Sequence, residues 1–100
     1  MSLTSKQRRH LRSLAHHLDP VVLVGGNGIT PQVEQAVQNE LESHELIKVR
    51  IHRDAPVNVK IGGAELAESC SAELVQTIGR MAVLYKRREK DPDIVLPKGE

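Results

Sequence analysis

The chain has 100 residues, a formal net charge of +1, one cysteine (Cys70) and one aromatic residue (Tyr85), and its size and ordinary globular composition predict a single domain. One cysteine excludes an intramolecular disulfide, no apolar run approaches membrane-spanning length, and the lack of Phe and Trp argues against a fold that reads single-stranded nucleic acid on stacked aromatic side chains. The near-neutral total hides segregation: residues 1–18 carry Lys6, Arg8, Arg9 and Arg12 and no acid, whereas residues 29–46 carry Glu34, Glu40, Glu42 and Glu45 and no Lys or Arg.

Thr4-Ser5-Lys6-Gln7 has capping-box spacing and opens a helix. Leu11, Leu14, Ala15 and Leu18 come next at helical spacing as its expected core stripe, beside a basic flank of Arg8, Arg12 and His16, with Lys6 and Arg9 further round. Asp19-Pro20 ends this helix, and the basic flank is expected near the glycine turn that comes after it. Val21–Val24 is an apolar run rich in β-branched residues and reads as a short buried strand. Gly25-Gly26-Asn27-Gly28 is a turn, and Thr30-Pro31 starts a second helix, with Thr as N-cap and Pro in the first turn. That helix runs to about Ser43, with Val33, Ala36, Val37 and Leu41 inward and an acidic solvent face.

Residues 47–53 alternate: Ile47, Val49 and Ile51 face a core, and Lys48, Arg50 and His52 form a basic strip on the other side. The segment from Asp54-Ala55-Pro56 to about Ser71 reads as a helix that starts late or bends at Gly62-Gly63, a pair read as close packing or helix entry. Leu74–Ile78, Gly79-Arg80 and Met81–Tyr85 read as a hairpin whose glycine suits a type II′ turn, followed by the basic run Lys86-Arg87-Arg88. Residues 89–100 are a polar tail apart from Ile94-Val95-Leu96, which adds an edge strand or lies across the surface. The order α-β-α-β-α-β-β predicts a compact α/β domain with one four-stranded mixed sheet, spanning residues 1–88.

The glycine turn fails two nucleotide-binding patterns. A dinucleotide fingerprint needs a third glycine where Pro31 stands, and a P-loop needs a lysine after Gly28. What remains is a GxxG loop from a strand to the N-terminus of a helix, a geometry that lets backbone N–H groups approach a phosphate. KH domains clamp nucleic-acid backbone with such a loop, but there it joins two helices.

The chain resembles the bacterial YhbY-type proteins, the single-domain form of the CRM (chloroplast RNA splicing and ribosome maturation) family. The resemblance rests on Leu3–Arg12, Leu14-Ala15-His16, Pro20–Thr30, His44–Arg50, Val75–Arg80 and Val83–Arg87, in order over nearly the whole chain. It implies a fold similar to the C-terminal domain of translation initiation factor three. It also implies RNA binding through the GxxG loop and nearby basic residues, and association with precursors of the large (50S) ribosomal subunit. Family loops often carry a lysine at a variable position; here those positions are Gly26 and Asn27, so charge must come from neighbours.

The expected RNA contacts are therefore Lys6, Arg8, Arg9 and Arg12; Gly25, Gly26, Asn27 and Gly28; Lys48 and Arg50; and Arg80, Lys86 and Arg87, with Arg88 beside them. A β-branched residue in place of Gly28 is expected to weaken RNA binding and spare the fold. The five histidines lack metal-ligand spacing, Cys70 reads as a small core residue, and no acid–base pair suggests catalysis. The expectation is a non-enzyme without metal or cofactor, with no membrane partner and no small-molecule substrate. No signal peptide is visible, and the cytoplasm is the default location. The rival reading is a protein-interaction adaptor whose basic face meets an acidic protein.

Overall fold

The computed structural model describes residues 3–98. Residues 1, 2, 99 and 100, which open the expected domain and close the expected tail, lie outside the described residues. The elements are α1 (Ser5–Ala15), β1 (Pro20–Val24), α2 (Pro31–His44), β2 (Leu46–Ile51), α3 (Val59–Ser69), β3 (Glu73–Ile78) and β4 (Met81–Tyr85). They form an α/β domain whose single mixed sheet has the order β1-β2-β4-β3, with β1 parallel to β2 and β4 antiparallel to both of its neighbours.

Local chemistry explains the helix starts. Thr4 closes the capping box: its hydroxyl accepts from the Gln7 N–H, and the Gln7 side chain accepts from the Thr4 N–H, both at 3.1 Å. Thr30 caps α2 by accepting from the Val33 N–H, with Pro31 in the first turn, where no amide donor is needed. α3 starts late, as the glycines suggested, with Asn58 accepting from the Ile61 N–H at 2.8 Å. In the hairpin turn the positive φ falls on Gly79 (+56°) and not on Arg80, which fits the type II′ expectation.

The sheet has an apolar core on each face. On one, α2 and α3 pack on Val22, Val24, Ile47, Val49, Ile51 and Leu84. α3 lies close because of its glycines: a Cβ on Gly63 would meet the Ala82 Cβ at 3.1 Å, and one on Gly62 the Ile51 Cδ1 at 2.8 Å. On the other face, α1 uses Leu11 and Ala15 to cover Leu46, Val75, Val83 and Tyr85, with Ile94 and Leu96 of the tail joining the edge.

Two expectations are corrected, and one left open is decided. Val21–Val24 is not buried throughout: β1 is an edge strand, Val22 and Val24 are buried, and Val21 and Leu23 are 45% and 56% exposed on the face that α1 leaves open. α1 ends at Ala15, so Leu14 and Leu18 lie on the rim of its stripe, 40% and 36% exposed. Of the two courses open to residues 94–96, the structure takes the second: they add no strand and lie across the surface, with Ile94 and Leu96 packed on the second core and Val95 in solvent.

Candidate nucleic-acid interface

Parallel pairing brings the ends of β1 and β2 together, and the β3–β4 turn joins them. The His52 N–H donates to the Val24 carbonyl and the Ile51 N–H to the Arg80 carbonyl, both at 2.8 Å. One end of the sheet thus gathers the Gly25–Gly28 loop, the 52–58 loop, the Gly79-Arg80 turn and the N-termini of α2 and α3. A groove of about 590 Å³ runs there between the 52–58 loop and the turn, with Arg53, Arg80 and Asn58 among its lining.

The glycine loop is a closed β-turn in which the Gly28 N–H donates to the Gly25 carbonyl at 3.0 Å. Gly26 and Asn27 form its exposed tip, and their N–H groups meet no acceptor among the described residues. The four positions differ in what they tolerate. Gly28 has φ +73°, and a Cβ there would sit 2.9 Å from the Pro56 Cγ, so this glycine is required by the fold. A Cβ on Gly26 would come no closer than 4.0 Å to the Asp54 carbonyl, and one on Gly25 would meet nothing. The expectation that Gly28 probes RNA contact while sparing the fold is therefore corrected: its replacement strains the loop itself. Two donors remain for a phosphate, with no charge of the loop's own. Glu34 in the first turn of α2 offsets part of that helix end's positive potential.

The expected basic residues do not form one surface. Arg80 is exposed at the loop end, and Arg50 lies one strand position before Ile51 there. Lys48 is half-buried nearer the middle of the same face. α1 covers the other half of that face, so its basic flank does not lie beside the glycine loop as expected. Lys6, Arg9 and Arg12 are exposed on α1, but Arg8 is committed: its Nη1 donates to the Leu74 and Val75 carbonyls at 2.6 and 3.1 Å, capping the edge strand β3. Lys86 and Arg87 are exposed at the end opposite the loop, the length of β2 away, roughly 17–20 Å. Arg88 is folded inward, with its guanidinium donating to the carbonyls of Glu42, Ser43 and Asp91. Arg53 is not among the residues expected from the sequence. It is exposed beside the loop, and the signal was available, because parallel strands end on one edge and Arg53 comes after β2 as the glycines come after β1.

Among the described residues only two basic side chains closely approach a carboxylate, and both are imidazoles: His44 beside Glu40 at 3.7 Å and His52 beside Asp54 at 3.4 Å. No Lys or Arg side chain there forms an ion pair with a carboxylate, and apart from Arg8 and Arg88, which are tied to backbone carbonyls, the exposed cations are uncommitted. Tyr85 is buried under α1 and offers no ring for stacking. No group of three or more potential metal ligands occurs among the described residues, and no described helix is long and apolar enough to cross a membrane.

Comparison with known proteins places this geometry in a family. The model of the CRS1 / YhbY (CRM) domain matches residues 3–86. A protein of Haemophilus influenzae named RNA-binding protein is 44% identical over 97% of this chain and 97% of its own. Another, of Bacillus subtilis, named probable RNA-binding protein YqeI, is 39% identical over 95% of this chain and 99% of its own. The solution structure of the hypothetical protein SAV1595 from Staphylococcus aureus superposes with a TM-score of 0.73 at 41% identity, covering 96% of this chain and all of that one.

Proposed function

The chain belongs to the CRS1 / YhbY (CRM) domain family, and on that premise we propose that it is a cytoplasmic RNA-binding protein, not an enzyme, that contacts ribosomal RNA during assembly of the large (50S) subunit. Residues 1–88 are the binding unit, and 89–100 are a tail. The Gly25–Gly28 loop and the cations of its end hold the RNA backbone. The names of the relatives support RNA as the ligand; the ribosomal setting is what the resemblance drawn from the sequence implies.

The observation that carries the reading is the loop end itself. Two exposed N–H groups at Gly26 and Asn27, without an acceptor among the described residues, share an edge with Arg53 and Arg80, and among those residues neither arginine forms an ion pair, the one carboxylate of the 52–58 loop, Asp54, lying against His52. Phosphate is the anion such a loop and such cations suit. The binding is backbone-directed, so it is salt-dependent and weakly selective for sequence.

The test replaces Gly26 and Asn27 with Asp, at positions where the backbone has room. Affinity for an RNA oligonucleotide should fall about tenfold or more, because two carboxylates replace the phosphate's approach, while the unfolding temperature stays close to that of the native chain. For about five phosphates neutralised on a single strand, the log–log salt slope should be near −3.5. Unchanged affinity in the double variant would remove the loop from the mechanism. Gradient fractionation of cell extract should find the protein with large-subunit precursors. A partner that survives nuclease treatment while RNA binding is absent would favour the adaptor reading.

A further inference from the structure

The two faces of the sheet are covered unequally. Two helices cover one face, and one helix, α1, with the tail at its edge, covers the other, over the half away from the glycine loop. Strand register identifies what is left open. Leu23 pairs with Arg50, Arg50 with Met81, and Met81 with Ile78, so these side chains form one row across all four strands. Leu23 and Ile78 are 56% and 59% exposed, Arg50 is exposed and Met81 is half-buried. At the usual strand spacing the row is roughly 14 Å long. The row thus aligns two exposed apolar side chains and an exposed guanidinium on one uncovered face, instead of scattering them singly over the surface.

We propose that this row seats unpaired bases of the RNA whose backbone the glycine loop holds, which makes single-stranded RNA, and not duplex, the ligand. The proposal rests on the RNA-binding reading and deepens it. Continuity with the loop end is the first argument. Leu23 is two residues before Gly25, and Arg80 directly precedes Met81, so a strand leaving the loop meets the row next. Charge is the second. Lys48 and Arg50 are the charged side chains on the open part of this face; β1, β2, β4 and α1 contain no acid, and Glu73 of β3 sits at the far end, opposite Tyr85. An acid-free face suits a polyanion.

Base chemistry is the third argument. A four-stranded sheet can seat two or three bases, and in other folds aromatic rings do the stacking. This face has none, but a planar guanidinium stacks on a base as an aromatic ring does. Arg50 stands in the middle of the row, with no partner among the described residues, between Leu23 on one side and Met81 and Ile78 on the other. Arg50 is then the stacking plane, and the aliphatic side chains are the floor.

The experiment compares an unpaired 12-nucleotide RNA with a 12-base-pair RNA duplex by fluorescence anisotropy at fixed salt, using the full chain. The native chain should prefer the single strand. Arg50→Lys keeps the charge and removes the plane; it should weaken single-strand binding at least about fivefold and leave the salt slope unchanged. Leu23→Ser with Ile78→Ser, both at exposed positions, should do the same, with thermal unfolding as the check that the fold persists. Equal affinity for single strand and duplex, untouched by either variant, would overturn this inference and leave RNA binding standing. If the native chain binds neither RNA, the functional reading falls and this inference with it. If Leu23→Ser with Ile78→Ser dissolves a dimer without touching RNA affinity, the face is a self-association surface, and the inference is also overturned.

Discussion

Glu45 shows what one residue does in this fold. It ends α2 with φ +64°, in the left-handed region, and its side chain is fully buried. The carboxylate accepts from three backbone N–H groups: Arg88 at 2.8 Å, Asp93 at 2.7 Å and Ile94 at 2.8 Å. Burial pushes its pKa up, but those bonds and the Arg88 charge outweigh it, and the group is held below its ordinary value of 4.5. A depressed carboxylate stabilises the fold above the unfolded pKa, and that stability is lost as pH falls through the folded one. Glu45→Gln removes the charge and sets an amide NH₂ among N–H donors, so it should cost about 1–3 kcal/mol at neutral pH. Thermal unfolding at pH 7 and pH 3 checks this: the native chain should lose stability between them, and the variant should lose less. The sequence places Glu45 among the acids after Thr30, with nothing to separate it from Glu40 or Glu42. Its partners lie more than forty residues on, so its role is a product of tertiary contact that no local pattern carries.

At the scale of elements, features governed by local rules are legible in the sequence. The capping box of α1, the Thr30-Pro31 start of α2, the alternation of β2 and the glycine turn of the hairpin all depend on neighbours within a few residues, and all form as expected. Features that depend on the layer packed above are not legible. Val21–Val24 has the composition of a buried strand, and only its edge position leaves Val21 and Leu23 in solvent. The glycine pair of α3 yields a sharper test. Alanine at either position gains helix propensity, about 1 kcal/mol. At Gly62 the obstacles are side-chain ends, the Ile51 Cδ1 and the Cγ2 of half-buried Val57 in the 52–58 loop, which can shift; at Gly63 they include, beside the Leu74 Cδ1, the Cβ of Ala82, fixed on an inner strand. Gly62→Ala should therefore be near neutral, and Gly63→Ala should destabilise by about 1 kcal/mol or more. Denaturant midpoints of the two variants decide it, and the reverse ranking would mean that α3 sits further from the sheet.

Over the whole molecule, the question is which cations act together. The sequence spreads its basic residues along the chain, but it does not reveal which of them meet, because that depends on strand order and direction. The fold answers by placing Arg53 and Arg80 at the loop end and Lys86 and Arg87 at the other, with Arg8 and Arg88 tied to backbone carbonyls. A short oligonucleotide held at the loop reaches the first pair and not the second. Arg53→Ala with Arg80→Ala should weaken binding of such an oligonucleotide and reduce the magnitude of the salt slope by about 1.4, one single-strand phosphate contact for each arginine. Lys86→Ala with Arg87→Ala removes the same formal charge from the molecule and should leave the slope for the same RNA within error. Because net charge changes equally in both variants, a difference between them can come only from where the charge stands. Equal loss in both would mean that the protein attracts RNA through its overall field and that the loop end has no privileged role.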